Sequence, residues 1–480
     1  MTATNNNTIE QRQKRDYEFL PWLAPASDEA RSLCASVVSA IETHERDSSL
    51  RRRARREQDR LTFIRVISAL VCNAVFYKMV AVDDKDVETA GSFHISLSNR
   101  YLGSQYSHPV QSQTLPALVR HMEACGFLER VREGYKEGYF EPDRQPIQTT
   151  LRATDALMSM AADEFGVSPV YTTATPVAVF YHQHFRRDHA GEETIILKDR
   201  AAWVDSETGK VELSAVAKTI AYRNTAKTRK FRAEMETINQ WLADAPLELD
   251  KEAFYQEGGV PDPSARYLRR YFSLGEFTYG GRLFGGFWES LRKTDRGRWI
   301  TIAGEEVCTL DFGQTVVWLL YAMVKQTPPA TLKDCYLIPG FEDYRNGIKK
   351  MMASAPFKSE RPTRFPSGTK GLFNPDTRVT EVIEAILQTH APIAHLLFTD
   401  ATIGHRMQHL ESQIIIRALL KIISETDIPA ALPIHDALVV PKSRHHEARV
   451  IMQAAFREEF GDGCIDIPVS VVGVDGGGLS

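Results

Sequence analysis

The sequence predicts an α+β protein, and three kinds of stretch carry that prediction. Residues 432–441, Leu-Pro-Ile-His-Asp-Ala-Leu-Val-Val-Pro, form a short apolar run closed by proline at both ends. β-Branched residues between such breakers read as a buried strand or a tight hairpin. Val307 to Phe312 is a second apolar strand, and it runs into an apolar helix from Gln314 to Met323. Elsewhere apolar residues recur at helical spacing, from about Ser27 to Thr43, on through Phe63 to about Val80, and from His405 to Glu425.

Composition frames the chain before any motif does. A length of 480 residues suggests about two to four domains. Apolar content of 43% and charged content of 25% are ordinary for a soluble protein with a real core. No apolar run reaches the ~20 residues of a membrane span, and the polar start lacks a secretory h-region, so a cytoplasmic protein is expected. Cys34, Cys72, Cys125, Cys308, Cys335 and Cys464 are scattered without a C-x-x-C pair. They read as reduced thiols, with neither a disulfide frame nor a zinc site. A net charge of −4 and a pI near 6.4 do not announce a nucleic-acid binder, although a basic cleft needs only local charge. G-x-G-x-x-G, G-x4-G-K-[ST] and H-E-x-x-H do not occur.

Taken in order, residues 1–26 read as a disordered tail. Arginines at 51, 52, 53, 55, 56 and 60 follow the first helical stretch; they form a solvated face or a phosphate contact. A helix is expected from about Gln113 to Cys125, with Ser112 or Thr114 as cap, Pro116 in its first turn and Gly126 past its end. Residues 127–132 and 148–154 then read as two strands around a Gly-rich turn. This helix, glycine and hairpin order resembles a winged helix-turn-helix, which places a DNA-binding domain at 27–165. The resemblance implies that Arg120 and His121 enter the major groove and that Lys136 at the wing tip touches backbone. A winged helix used for protein contacts is the alternative. Residues 166–260 form a thumb-like or linking helical region. There the basic, aromatic-containing stretch 222–232 precedes a helix with Ile238, Trp241 and Leu242, which suits a strand-tracking surface. Residues 258–263 are a linker into a catalytic part over 261–480.

Asp436 interrupts the 432–441 run, and Asp311 lies near the end of the other apolar strand. A carboxylate in such a setting is expensive to bury unless something pairs with it. Two strand-borne carboxylates are also what a divalent-metal site needs. Mg²⁺ takes oxygen ligands and typically binds through one or two carboxylates plus substrate phosphates. Between the two strands, Arg345 and Lys349 are four apart and share a helix face, with Phe357 near that face further on. Two cations and an aromatic ring there suit a nucleoside triphosphate.

The order of these stretches resembles motifs A, B and C of the family A DNA polymerases and the single-subunit, phage-type RNA polymerases. "LDFGQTVVW" is similar to motif A, "RNGIKKMMASAPF" to motif B and "LPIHDALVVP" to motif C. "YGGRLFGGFW", residues 279–288, is similar to the segment that precedes motif A. The resemblance covers roughly 265–480 and implies a right-hand palm and fingers domain. It implies metal ligation by Asp311 and Asp436 with help from the Phe312 carbonyl, for two Mg²⁺ ions with Mn²⁺ as a substitute. Lys349 and Arg345 would hold the triphosphate and Phe357 the sugar and base. His435 would lie by the primer end and Arg282 by the template–primer backbone. Val316 stands where the DNA enzymes carry a Glu, Phe357 where they carry a Tyr, and Lys358 where a Gly is usual. These departures leave dNTP against NTP open.

The expected activity is a template-directed nucleotidyltransferase, a DNA polymerase that is primer-extending or primer-making. Its partners are DNA template and primer and nucleoside triphosphates, without a membrane. A single-subunit RNA polymerase, an HD-type phosphohydrolase suggested by His435-Asp436, and a non-catalytic DNA-binding replication or regulatory protein are the rivals.

Overall fold

The computed structural model describes residues 18–51, 53–80, 90–98, 102–134, 148–167, 183–200, 202–204, 211–213, 216–250, 253, 261–329, 332, 334–460 and 467–473. Two units divide the chain, residues 1–193 and 194–480, and each has its own buried cluster.

In the first unit β1 (Leu23–Pro25) leads into α1 (Asp28–Asp47) and α2 (Glu57–Val80). Ser27 caps α1 by accepting from the Ala30 amide, and Leu33, Val37 and Ile41 form its buried stripe. The tail expected over 1–26 is therefore structured at its end, because Leu23 is buried and pairs in register with Arg187; residues 1–17 lie outside the described part. Helix α2 is long and apolar enough by composition to cross a membrane, against the expectation that no segment would be. Most of it is buried in this unit: Val66, Ile67, Leu70 and Val75 are core residues. It is apolar nearly all round because it is surrounded.

After α2 come β2 (Ser92–Ile95), α3 (Leu115–Ala124), β3 (Leu128–Arg132), β4 (Thr149–Ala153) and α4 (Asp155–Ser159). The strands form an antiparallel sheet in the order β2-β4-β3. Leu118, Val119 and Met122 bury one side of α3. The expected side-chain cap of α3 is absent: the Thr114 backbone is itself helical, and its hydroxyl bonds Ser112 at 2.7 Å instead. Strand β5 (Phe185–Arg187) closes the unit by pairing with β1.

In the second unit β6 (Ile195–Asp199) is followed by the small hairpin of β7 (Ala202–Val204) and β8 (Val211–Leu213), then β9 (Lys218–Thr219). Helix α5 (Ala226–Asp244) and β10 (Leu247–Leu249) come next, so most of the basic stretch 222–232 lies inside α5 itself. The region 166–260 is thus divided by the unit boundary at 193, with β6 to β10 belonging to the second unit. Strand β6 runs parallel to β11 (Arg269–Ser273), which pairs antiparallel with the nine-residue β12 (Glu276–Phe284).

After α6 (Lys293–Trp299), β10 is joined by β13 (Ile300–Ile302), β14 (Glu305–Phe312), β15 (Leu432–Ile434), β16 (Ala437–Pro441) and β17 (Val469–Val472) in a six-stranded sheet. Its order is β10-β13-β14-β16-β15, with β17 also on β14. β13 and β17 share one edge of β14, at Glu305–Glu306 and Thr309–Phe312, while β16 holds the other. Helices α7 (Thr315–Met323), α8 (Arg345–Ser354), α9 (Val379–Thr389), α10 (Thr402–Glu425) and α11 (His445–Phe460) complete the unit. Alternation along β14 buries Cys308, Leu310 and Phe312, Val307 is buried on the opposite face, and Asp311 is left half-buried near the strand end.

Candidate active site

Strand register brings the two aspartates to one corner. Asp311 on β14 lies opposite Ala437 on β16, and Ile434 on β15 also pairs with Ala437. His435 and Asp436 are thus the two-residue turn of a hairpin beside the end of β14. The Phe312 amide donates to the Asp436 carbonyl at 3.3 Å. His435 takes φ +55° and Gln314, just before α7, takes φ +60°. A non-glycine residue in this region costs about 1–3 kcal/mol and persists where its surroundings over-determine it. The Gln314 side chain shows how, since its Oε1 accepts from the Cys335 amide at 2.7 Å.

Burial raises the Asp311 carboxyl above its ordinary range, and the charge of Asp436 adds to that. Lys293 at the start of α6 places Nζ 3.3 Å from Asp311 Oδ2, and Lys293 and Lys349 both oppose the rise. Asp436 Oδ2 is 2.5 Å from Thr315 Oγ1, which also lies 2.7 Å from the Phe312 carbonyl. One hydroxyl proton can serve only one of these acceptors at a time.

The donors are hard: two mutually repelling carboxylates and the Phe312 carbonyl. Such a set fits Mg²⁺ or Mn²⁺ and offers nothing to a soft metal. Among the described residues no group of three or more His, Cys, Asp and Glu side chains is placed to hold a metal. An ion on these two aspartates would fill its shell from the carbonyl, water and substrate phosphates.

A third carboxylate stands behind the pair. Arg282 on β12 donates from Nε and Nη2 to Glu411 on α10 at 2.7 and 2.8 Å. Burial raises the Glu411 pKa, Arg282 pulls it down, and Asp436 and Asp311 push it up again. Glu411 thus lies in the field of both aspartates. Sequence reasoning gave Glu411 no role, although a lone acid among Leu410, Ile414 and Ile415 was a signal.

The triphosphate candidates divide. Lys349 is exposed and makes no ion pair among the described residues. Arg345 is committed through Nε to Asp334 Oδ2 at 2.6 Å, a partner the sequence did not suggest. Its guanidinium lies 5.5 Å from the centroid of Tyr336, a buried phenol whose own ionisation is suppressed chiefly by burial. Phe357 does not continue the helix that carries Lys349. Helix α8 ends at Ser354, and Phe357 lies on the 3-10 turn Ala355–Phe357 that contains Pro356, since proline removes a helix donor. The Phe357 ring meets His405 edge-on at 5.4 Å and lies over Gly404. Val316 is half-buried against the core. His435 is exposed at the hairpin tip and edge-on to Phe284 at 5.6 Å. Partial desolvation by surrounding residues, then Arg282, lower its pKa, against the pull of Asp436.

In the first unit Arg120 is exposed on α3, whereas His121 turns toward Glu45, with Nε2 3.8 Å from Oε1. Glu45 is buried and also takes Arg55 Nη2 at 2.7 Å on both oxygens, so part of the arginine run is spent on an internal ion pair. Lys136 lies outside the described residues.

No family model matches this chain, and no curated protein matches it. Among solved structures it is similar to the POL domain of Pol1 from M. smegmatis in complex with DNA primer-template and dNTP, at a TM-score of 0.31 and 10% identity, with 51% of each chain covered. The chain spans about half the length of that structure.

Proposed function

We propose that this protein is a template-directed nucleotidyltransferase, in the first place a DNA polymerase, that extends a nucleic-acid 3′ end with two divalent ions. The meeting of Asp311 and Asp436 at one sheet corner carries this reading. Asp311, Asp436 and the Phe312 carbonyl would hold Mg²⁺, which when bound supplies charge stabilisation to the attacking and leaving oxygens. Thr315 orients the Asp436 carboxylate. Lys349 binds the triphosphate, and Arg345 presents the Nη groups that Asp334 leaves open. Arg282, fixed by Glu411, and His435 at the hairpin tip face the primer–template. The first unit acts as a winged-helix DNA-binding domain through Arg120.

Extension of a labelled primer on a longer template, with Mg²⁺ or EDTA, tests this. Metal-dependent growth is expected, falling about 10²–10³-fold or more in Asp311→Asn, as for loss of one transition-state stabiliser. Growth unchanged in that variant would sink the assignment. A second reading, NTPs as substrate, is favoured by apolar Val316 and by Phe357, which has no hydroxyl and is packed on Gly404. Parallel reactions with dNTPs and NTPs decide between them.

A further inference from the structure

In the second unit a groove of about 540 Å³ has Arg364, Phe365, Lys370, Arg378 and Val379 among its lining residues. We infer that it binds single-stranded nucleic acid, with Arg364 and Arg378 on phosphates and Phe365 against a base. This rests on the templated reaction proposed above for its purpose, but not for its test.

Charge and shape support it. None of the groove residues is acidic. Neighbouring Arg361 is neutralised by Glu384 at 2.5 Å, whereas the Arg364 and Arg378 guanidinium groups have no acid partner among the described residues and are exposed. Lys370 is fixed by donating to the carbonyls of Pro375 and Thr377, at 2.7 Å each. Glu381 in the first turn of the eleven-residue α9 accepts from the Arg378 amide at 3.2 Å and offsets the positive end of that helix, so the field of the groove rests on the two arginine side chains.

The aromatic wall is braced. Phe365 packs 5.0 Å from Phe373, and Phe373 sits so close over Gly347 that a Cβ there would come within 2.5 Å of its ring. Gly347 lies on α8 between Arg345 and Lys349, so the groove is fixed to the helix that bears the triphosphate cations. Uncommitted cations beside an aromatic ring, in a groove open to solvent, suit a continuous strand, where phosphates meet charge and bases stack without sequence preference.

The test is anisotropy of a short labelled single-stranded oligodeoxynucleotide with the full chain in EDTA, across salt from about 50 to about 200 mM. Arg364→Gln/Arg378→Gln is expected to bind roughly tenfold more weakly, and to lower the log–log salt slope by about 1.4, at ~0.7 per phosphate. Lys421→Gln/Arg449→Gln, an equal charge loss elsewhere in the same unit, controls for net charge. Phe365→Leu is expected to weaken binding without changing the slope. Unchanged affinity and slope in the groove variant, or an equal loss in the control, would overturn the inference. So would a loss of binding to free dATP as large as that to the strand. Strand binding that behaves as expected in a protein without primer extension would leave the groove standing and remove the polymerase.

Discussion

Arg282 and Glu411 hold each other beside the aspartates, and neither can be removed quietly. Arg282→Met leaves a buried carboxylate unpaired, which costs about 3–5 kcal/mol; the denaturation midpoint is expected to fall accordingly, and further than for Glu411→Gln, which keeps an acceptor. Lys349 contrasts with this pair, since it is exposed, and under the proposed function its loss costs nucleotide binding and leaves stability unchanged. Losing a hydrogen bond to a charged group is worth about 1.5–3 kcal/mol, or roughly 10- to 150-fold. Lys349→Met is therefore expected to raise the nucleotide KM by that factor with the midpoint unchanged. A drop in the midpoint with KM unmoved would make Lys349 structural.

Helix α10 illustrates how one element ties several parts of the site together. It carries Glu411 against Arg282, His405 and Gly404 against Phe357, and Ser412 near the buried Arg270 at 3.4 Å. An alanine at 404 gains up to ~1 kcal/mol of helix propensity, but its Cβ would lie 2.5 Å from the Phe357 ring. Overpacking of that kind costs about 1–3 kcal/mol. Gly404→Ala is expected to lower thermal stability and raise the nucleotide KM together, and a stabilised variant would show that Phe357 moves freely. Local signals made much of this unit legible: the Asp311 strand, the Pro-bounded hairpin with its carboxylate, and α8 with Lys349 all follow from pattern within ten residues. What escaped the sequence was set by distance. Arg282 meets Glu411 across 129 positions and Asp436 meets Thr315 across 121, and no periodicity encodes such a pairing. Arg345 was legible as a cation but not as Asp334's partner. The end of α8 before Phe357 turned on Pro356, a breaker whose weight the R-x3-K spacing obscured.

On the scale of the whole chain, the two units carry separate cores and separate probes. Of the tryptophans at 22, 203, 241, 288, 299 and 318, only Trp22 belongs to the first unit. Fluorescence should report mainly the second unit and circular dichroism both, so non-coincident denaturation curves are expected; coincident ones would mean a single cooperative block. Acid should weaken both units. His108 accepts the Val110 amide at Nδ1 (3.1 Å) and donates from Nε2 to the Asp188 carbonyl (2.9 Å), a neutral tautomer, and burial lowers its pKa to about 4. The hydrogen bond to the Asp188 carbonyl and the Asp188 charge pull the other way, while Glu192, 3.4 Å from His108, is engaged by His189 at 2.9 Å. His409 in the second unit is likewise lowered to about 4, first by burial and then by Arg270. With the unfolded chain taking its proton near 6.5, this stability is complete above about pH 6.5 and lost as pH falls toward 4, on the order of 3 kcal/mol for His108. His108→Gln should flatten that part of the pH–stability curve, and an unaltered curve would refute the account. The shared edge of β14 also bears on biosynthesis. The Ser470 hydroxyl reaches back 159 residues to the Asp311 carbonyl, so at ~5–20 residues per second the ribosome needs roughly 8–32 s between making one and the other. For that interval the strand bearing the first aspartate waits with part of one edge open, and an unpaired strand edge is a template for pairing with a neighbouring chain.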